Sequence, residues 1–209
     1  MNNTRDFNSE AAQWDSNPRR IALAGAVVTA IRERVALNTK MQVLDFGCGT
    51  GLISLGLGPW VGSVTGVDTS AGMIEVLQEK IVASQLNNIA AHLVDFEHNA
   101  AMGGPYDLIC SSMTLHHVPD TLALLQRLHT LLGPDGTICI ADLDAEGGHF
   151  HGDNTGVFHF GFERPVLEEL LLSAGFTAVT VMTAATFEKP DGSGQLREFS
   201  VFLMTARKA

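Results

Sequence analysis

Cysteine is scarce in the sequence, and its spacing does not suit a metal site or a disulfide framework. Only three cysteines occur among 209 residues, Cys48, Cys110 and Cys139, with no CxxC pair. Zinc-finger and disulfide-stapled domains need more cysteines at closer spacing. We therefore expect three reduced cysteines that pack as small apolar side chains.

Long apolar runs and basic patches are also missing. The most apolar stretches, such as Ile21 to Ile31, are shorter than the roughly 20 residues that a membrane-spanning helix requires. Met1 to Ser16 is polar and lacks the apolar centre of a secretory signal, so we expect a cytoplasmic protein. Acidic residues outnumber basic ones by 23 to 13, and the net charge of −10 opposes nucleic acid. We expect neither a nucleic-acid nor a membrane partner, and the oligomeric state stays open.

The chain does contain enough apolar residues for one substantial core. Hydrophobic residues make up 45% of it and charged residues 17%, which at this length is typical of a single globular domain. We expect residues 1–209 to form that domain. Its predicted parts are a helical N-terminal cover (1–40), a cofactor-binding half (41–142), and a substrate lid with a C-terminal hairpin (143–209).

Short apolar runs alternate with longer amphipathic ones, which predicts a three-layer α/β sandwich. The runs are apolar on both faces, as in buried parallel strands. The predicted strands are Met41 to Phe46, Val64 to Val67, Ile89 to Val94, Asp107 to Ser111 and Thr137 to Ala141, with Ala178 to Thr183 and Phe199 to Ala206 as an antiparallel hairpin. The predicted helices are Ile21 to Leu37, a short one after Gly51, Ala71 to Ser84, Asp120 to Leu132, and one from Pro165 that Gly175 closes.

A glycine-rich turn follows the first predicted strand and leads into a helix. It reads Asp45-Phe46-Gly47-Cys48-Gly49-Thr50-Gly51, and the free N–H groups at the start of the helix can face a ligand. A dinucleotide fingerprint would read GxGxxG, and an acid at position 45 would repel a pyrophosphate. The turn therefore favours a nucleotide-like cofactor with a cationic group, such as the amino group of a methionine moiety.

Acids also end the next two predicted strands. Asp68 lies where a carboxylate can accept both hydroxyls of a ribose. Asp95 ends the third strand and can face an adenine amino group, with Phe96 packed beside the base. Because parallel strands end at one edge of the sheet, the three acids predict a site for an ammonium, a sugar diol and a purine amine.

Three segments, Val43 to Gly51, Gly66 to Ile74 and Tyr106 to Val118, resemble the class I S-adenosylmethionine-dependent methyltransferases, especially the small group related to quinone-biosynthesis enzymes. The resemblance runs from about Met41 to Ala141. It implies a mostly parallel seven-stranded Rossmann-like sheet with an antiparallel last strand, S-adenosyl-L-methionine as cofactor and a small-molecule methyl acceptor. The family's amine-modifying Asn-Pro-Pro-aromatic signature is absent, since its place reads Ser112-Met113-Thr114-Leu115. Methylation of nucleobases or protein glutamine therefore loses support.

The resemblance also implies which residues contact the cofactor. The glycine-rich turn wraps the methionine part, Asp68 holds the ribose, and Ser112 lies beside the sulfonium. Met73 packs on the second face of the adenine, although a methionine at helical spacing is equally typical of a core. The predicted cofactor-binding residues are Asp45, Gly47, Gly49, Thr50, Gly51, Asp68, Thr69, Met73, Asp95, Phe96 and Ser112.

Five histidines lie near the expected methyl group, where a hydroxyl or thiol acceptor would have to lose its proton. Two follow the fourth strand, and three lie in the aromatic segment Asp144 to Phe162, over the strand ends where ligands of open α/β sheets bind. The predicted catalytic residues are His116 and His159, and the predicted substrate-binding residues are His117, His149, His151 and Phe158.

Each of these histidine roles has an alternative. The His116-His117 pair can serve only to start a helix, and the aromatic segment can be a self-packed lid. His149-x-His151 together with His159, Asp144 or Asp153 matches no familiar ligand spacing, so we expect no metal site. At the level of function, the alternatives are a cofactor-binding sensor or partner subunit without turnover and an NAD-dependent oxidoreductase.

Overall fold

A seven-stranded sheet in the order β3-β2-β1-β4-β5-β7-β6 forms the centre of the molecule. The computed structural model describes residues 5–94, 102–191 and 193–209. Strand β7 is antiparallel to both of its neighbours, and the other neighbouring strands are parallel, which confirms the predicted fold class. The strands are β1 (Gln42–Phe46), β2 (Ser63–Asp68), β3 (Ile89–Leu93), β4 (Tyr106–Ser112), β5 (Leu132–Leu143), β6 (Phe176–Pro190) and β7 (Leu196–Lys208).

Helices cover both faces of the sheet, as the alternating pattern predicted. The α-helices are α1 (Phe7–Glu10), α2 (Pro18–Arg34), α3 (Leu52–Leu57), α4 (Ala71–Ser84), α5 (Thr121–Leu131) and α6 (Arg164–Ser173). Short 3-10 helices span Ala11–Ser16, Gly58–Trp60 and Leu115–His117.

Strand β1 contributes side chains to two hydrophobic cores, one on each face of the sheet. Val43 packs with α2 and α3 on one face, whereas Leu44 and Phe46 pack with α5 and α6 on the other. All three side chains are buried, because alternate residues of a strand point to opposite faces and both faces are covered.

Helix starts agree closely with the capping signals in the sequence. Ser70 accepts the N–H of Met73 at the start of α4, and Asp120 accepts the N–H of Ala123 at the start of α5. The prediction for α4 was correct to the residue. Helix α2 begins three residues earlier than predicted, at Pro18, where Asn17 provides the cap and proline suits the first helical position.

Two expectations about the strands need correction. Strand β3 was predicted to be buried on both faces, but it lies at the sheet edge and Leu93 is 58% exposed. The hairpin strands β6 and β7 are much longer than predicted, because polar residues alternate with apolar ones where one face of the hairpin meets solvent.

The three cysteines are free and buried, as expected. Among the described residues, no helix has both the length and the apolar character needed to cross a bilayer.

Candidate cofactor and acceptor site

The glycine-rich loop between β1 and α3 uses its three glycines in two ways. All have positive φ, and a Cβ at Gly47 would lie 2.3 Å from Thr114, while one at Gly51 would lie 2.1 Å from Leu77. At Gly49 the nearest atom to such a Cβ is the sulfur of Met73, at 4.0 Å. Packing therefore requires the outer two glycines, and Gly49 is the one that leaves room for a ligand.

Asp68 ends β2 directly beside this loop. The N–H of Gly49 donates to its Oδ2 at 2.8 Å, and the N–H of Ser70 donates to its Oδ1 at 2.9 Å. Burial raises the pKa of Asp68, and these N–H groups partly counter that effect by stabilising the carboxylate. Each oxygen keeps lone-pair capacity, so the side chain is oriented and can still accept two hydroxyl groups.

Asp45 lies in β1, just before the glycine-rich loop, and is buried. Its carboxylate is 1% exposed and accepts a hydrogen bond of 2.6 Å from Ser54 of α3, and the Cys110 sulfur lies 3.7 Å away. Burial raises the pKa of Asp45 to about 6. The structure thus places Asp45 beside the predicted site, with Ser54 as its direct partner.

The N-terminal segment, defined here as Phe7–Ser16, lies over the glycine-rich loop and the start of α4. Thr50 donates to Asp15 at 2.7 Å, and Lys80 donates both to Asp15 at 2.6 Å and to the carbonyl of Thr50 at 2.7 Å. Asn8 accepts from the Ser70 hydroxyl and the Gly72 N–H, both at 2.9 Å. No short-range pattern predicted these contacts, and Asp6, the cap of α1, signals only the start of that helix.

The other predicted cofactor residues differ in their accessibility. Met73 is 2% exposed, so it contributes to the core as well as facing Gly49. Thr69 is exposed, and Ser112 is half-buried at the end of β4. The predicted adenine neighbours Asp95 and Phe96 lie outside the described residues.

Three imidazoles meet at the ends of β4 and β5, and we refer to His116, His117 and His151 as the histidine cluster. His116 is 1% exposed and its Nδ1 lies 2.7 Å from the buried carboxylate of Asp142. His117 Nδ1 lies 2.7 Å from the carbonyl of Gly156, and His151 Nε2 lies 3.3 Å from His116 Nε2. Two of the predicted substrate-binding residues thus join one of the predicted catalytic residues.

The remaining predicted acceptor-side residues do not enter the cluster. The Nε2 of His159 lies 2.9 Å from the carbonyl of Val118 and 3.2 Å from the hydroxyl of Thr121, so this side chain fastens the lid segment, residues 144–162. His149 is exposed and lies 3.9 Å from Asp191. Phe158 is 54% exposed, while its backbone N–H donates to the carbonyl of His116.

Two cavities lie at the borders of this region. One, of about 360 Å³, lies between the N-terminal segment and α4, and one of about 310 Å³ lies between the start of the lid segment and β7. The glycine-rich loop and Asp68 line neither of them.

Comparison with known proteins identifies the family to which this sequence is similar. A family model described as a methyltransferase domain matches residues 18–181. An uncharacterized methyltransferase of Schizosaccharomyces pombe is 34% identical over an alignment of 142 residues, and the match covers 61% of this chain and 50% of the relative. The ubiquinone biosynthesis O-methyltransferase of Pseudomonas aeruginosa is 31% identical over 134 residues, 62% of this chain and 53% of the relative. The chain thus spans about half the length of these curated relatives.

A solved structure shares the fold. Phosphoethanolamine N-methyltransferase 2 of Haemonchus contortus, in complex with S-adenosyl-L-methionine, superposes with a TM-score of 0.71 at 16% identity. The match covers 98% of this chain and 60% of the other.

Proposed function

The chain belongs to the class I S-adenosylmethionine-dependent methyltransferase family, and from that membership we propose that it transfers the methyl group of S-adenosylmethionine to a small molecule. The observation that carries the proposal is the pairing of Gly49 with Asp68. An open glycine backbone lies beside an oriented carboxylate, an arrangement suited to an adenosine cofactor whose ribose hydroxyls bind the acid. The cofactor named for the Haemonchus contortus structure supports the same choice.

The cofactor would lie along the edge formed by β1, β2 and β4. Asp68 accepts the ribose hydroxyls, Gly49 and Thr50 contact the methionine part, and Ser112 lies on the sulfonium side. Met73 supports the adenine, and the predicted contacts of Asp95 and Phe96 belong to the same proposal. Asp45 contributes indirectly, because its bond to Ser54 fixes α3 behind the loop.

The N-terminal segment covers the bound cofactor. Its contacts run from Asp15 to Thr50 and from Asn8 to the start of α4. Since these contacts lie directly over the loop, the segment has to move for the cofactor to enter and then excludes water from it on closure.

The acceptor would bind between the histidine cluster and the lid segment. In the reaction, a lone pair of the acceptor attacks the methyl carbon in line with the carbon–sulfur bond, that bond breaks, and S-adenosylhomocysteine leaves. A hydroxyl or thiol acceptor also loses a proton, and the cluster is the polar group placed to assist that loss. The O-methyltransferase activity in the name of the Pseudomonas aeruginosa relative supports a hydroxyl acceptor.

Calorimetry combined with a turnover assay tests the proposal. We expect the chain to bind S-adenosylmethionine and S-adenosylhomocysteine, to show no heat with NADH, and to methylate at least one member of a panel of phenols, thiols and amines. Binding without any turnover would identify a cofactor-binding subunit and contradict the enzymatic proposal. Binding of NADH alone would contradict the cofactor assignment.

A further inference from the structure

The histidine cluster has the composition of a metal site. Its ring centroids are 4.2, 5.1 and 5.7 Å apart, and one ring nitrogen from each side chain lies within 4.8 Å of the other two. Within residues 5–94, 102–191 and 193–209 this is the one such group of three metal-binding side chains. The sequence did not predict it, because residue 151 lies more than 30 positions after residues 116 and 117.

The outer nitrogens of two of the three rings are already engaged. His116 Nδ1 faces Asp142 Oδ1 and His117 Nδ1 faces the Gly156 carbonyl, both at 2.7 Å, and both acceptors require that Nδ1 carries the proton. Each Nε2 is therefore left with a lone pair. A carboxylate or carbonyl behind the imidazole is the arrangement that orients histidine ligands of metal ions. Asp142 is itself fixed by the N–H of Leu143 at 2.8 Å.

The distance between two of the Nε2 atoms has the value that a tetrahedral metal site needs. His116 Nε2 and His151 Nε2 are 3.3 Å apart. Two nitrogens bound to zinc at about 2.0–2.1 Å with a tetrahedral angle are separated by about 3.3 Å. The three ring nitrogens lie within 4.8 Å of one another, so the third imidazole has to approach by at most about 1.5 Å, a side-chain adjustment.

We propose that His116, His117 and His151 bind one divalent transition-metal ion, with zinc as the preferred ion and a fourth position open to the methyl acceptor. Three neutral imidazoles with an open position are a ligand set of catalytic zinc sites. This inference replaces the expectation that the chain has no metal site. The part of this proposal that concerns the methyl acceptor rests on the proposed methyltransferase function.

A metal ion at this site would supply the chemistry that a hydroxyl or thiol acceptor requires. It would lower the pKa of a hydroxyl or thiol bound at the open position.

The contact between Arg5 and His151 depends on whether a metal ion is bound. Its guanidinium lies 3.3 Å from His151 Nδ1 and can only donate a hydrogen bond, so this nitrogen has to be the acceptor in the metal-free state. His151 then carries its proton on Nε2 and donates it to His116. A metal ion at Nε2 moves that proton to Nδ1, which opposes the Arg5 contact. Metal binding and the Arg5 contact therefore exclude each other.

Cobalt binding tests the site directly. The full chain, stripped with a chelator, is titrated with Co²⁺ while visible absorption is recorded, and Zn²⁺ is then added in competition. We expect one Co²⁺ per chain, an intense spectrum typical of tetrahedral cobalt, and displacement by one Zn²⁺. His151→Ala and His117→Ala should weaken Co²⁺ binding by at least about 10- to 100-fold, whereas Arg5→Ala should strengthen it.

Two matched variants control for general effects. His149→Ala removes an exposed histidine from the same lid segment, and His129→Ala removes one from α5, so both should retain the wild-type cobalt affinity. His116 is fully buried, and its variant serves only if circular dichroism shows a folded chain. Because His151 is half-buried in a loop, we expect His151→Ala to fold, and its cobalt affinity tests the site.

The outcomes separate this inference from the proposed function. Absence of a tetrahedral spectrum, or equal cobalt affinity in wild type and His151→Ala, overturns the metal site and leaves a metal-free Asp142–His116–His151 hydrogen-bond chain. If the chain binds cobalt but methyl transfer persists after chelation, the metal ion does not bind the methyl acceptor, and that part of the proposal is overturned. Cobalt binding at the cluster with no S-adenosylhomocysteine binding contradicts the proposed function and leaves the metal site standing.

Discussion

The glycine-rich loop and the histidine cluster lie at the same edge of the sheet, but they are built differently. The loop is held by backbone groups, since the N–H of Gly49 orients Asp68 and the carbonyl of Val67 receives the N–H groups of Gly47 and Cys48. The cluster is joined mainly by side chains from two segments, the residues after β4 and the lid, with Asp142 of β5 and the carbonyl of Gly156 behind them.

This difference predicts how each region responds to mutation. Backbone contacts survive most substitutions, so changing one acid at the loop should alter ligand binding while the fold persists. In the cluster each imidazole depends on its neighbours, so single changes there should be coupled. We expect four substitutions around the loop and the lid segment to have effects that decrease from Asp68 to His159.

Asp68→Ala should weaken S-adenosylhomocysteine binding by about 100-fold, or about 3 kcal/mol, because charge-assisted hydrogen bonds to both ribose hydroxyls are lost. Calorimetry measures the dissociation constant. Asp107→Ala is the matched control, since Asp107 also accepts a backbone N–H, from Gln42 at 2.7 Å, but lies at the opposite end of the sheet. Equal losses in the two variants would contradict the specific role of Asp68.

Asp45→Asn should stabilise the fold at neutral pH. The folded-state pKa of about 6 exceeds the ordinary value of 3.8, so the folded chain retains a proton that the unfolded chain has lost, and wild-type stability falls as the pH rises from about 4 to 6. Asparagine cannot ionise, so the free energy of unfolding at pH 7 should rise by about 1–3 kcal/mol. Urea unfolding at about pH 4 and pH 7 measures this. An identical pH dependence in both proteins would refute the raised pKa, and the exposed Asp107→Asn serves as control.

Asp15→Ala should weaken cofactor binding by about tenfold, because the N-terminal segment loses its contacts with Thr50 and Lys80. Limited proteolysis should cut the segment faster in the variant, and added S-adenosylhomocysteine should protect the wild type more strongly. Gln13→Ala alters an exposed residue of the same segment and should match the wild type. Unchanged affinity would show that the segment does not cover the cofactor.

His159→Ala should lower turnover by about threefold and leave cofactor affinity unchanged, since its side chain fastens the lid segment to Val118 and Thr121. Steady-state kinetics and calorimetry on one preparation separate the two effects. His149→Ala, an exposed lid residue, is the comparison. A larger effect on cofactor affinity than on turnover would place His159 on the cofactor side.

The sheet and the glycine-rich loop could be predicted because their signals are local. Buried strands are continuously apolar, and helix starts are marked by capping residues. The ends of β1 and β2 lie side by side, because Phe46 pairs with Val67. That register brings Asp68 to the loop without further information. Strand β3 was misjudged because an apolar run does not reveal that its strand lies at an edge.

The contacts that sequence reasoning missed join distant segments. Asp15 meets Thr50 and Lys80, and His151 meets His116, through packing that no short-range pattern encodes. The Ser54 partner of Asp45 could not be predicted for a related reason. The residue type and position indicated a polar role, but only the placement of Ser54 in α3 decides which way the carboxylate points.

The contact between Asp68 and the ribose is tested most directly by a thermodynamic cycle. The affinities of wild type and Asp68→Ala are measured for S-adenosylhomocysteine and for its 2′-deoxy analogue. The wild type should prefer the full ribose by about tenfold or more, and Asp68→Ala should lose that preference. An equal preference in both proteins would contradict the placement of the cofactor at Asp68.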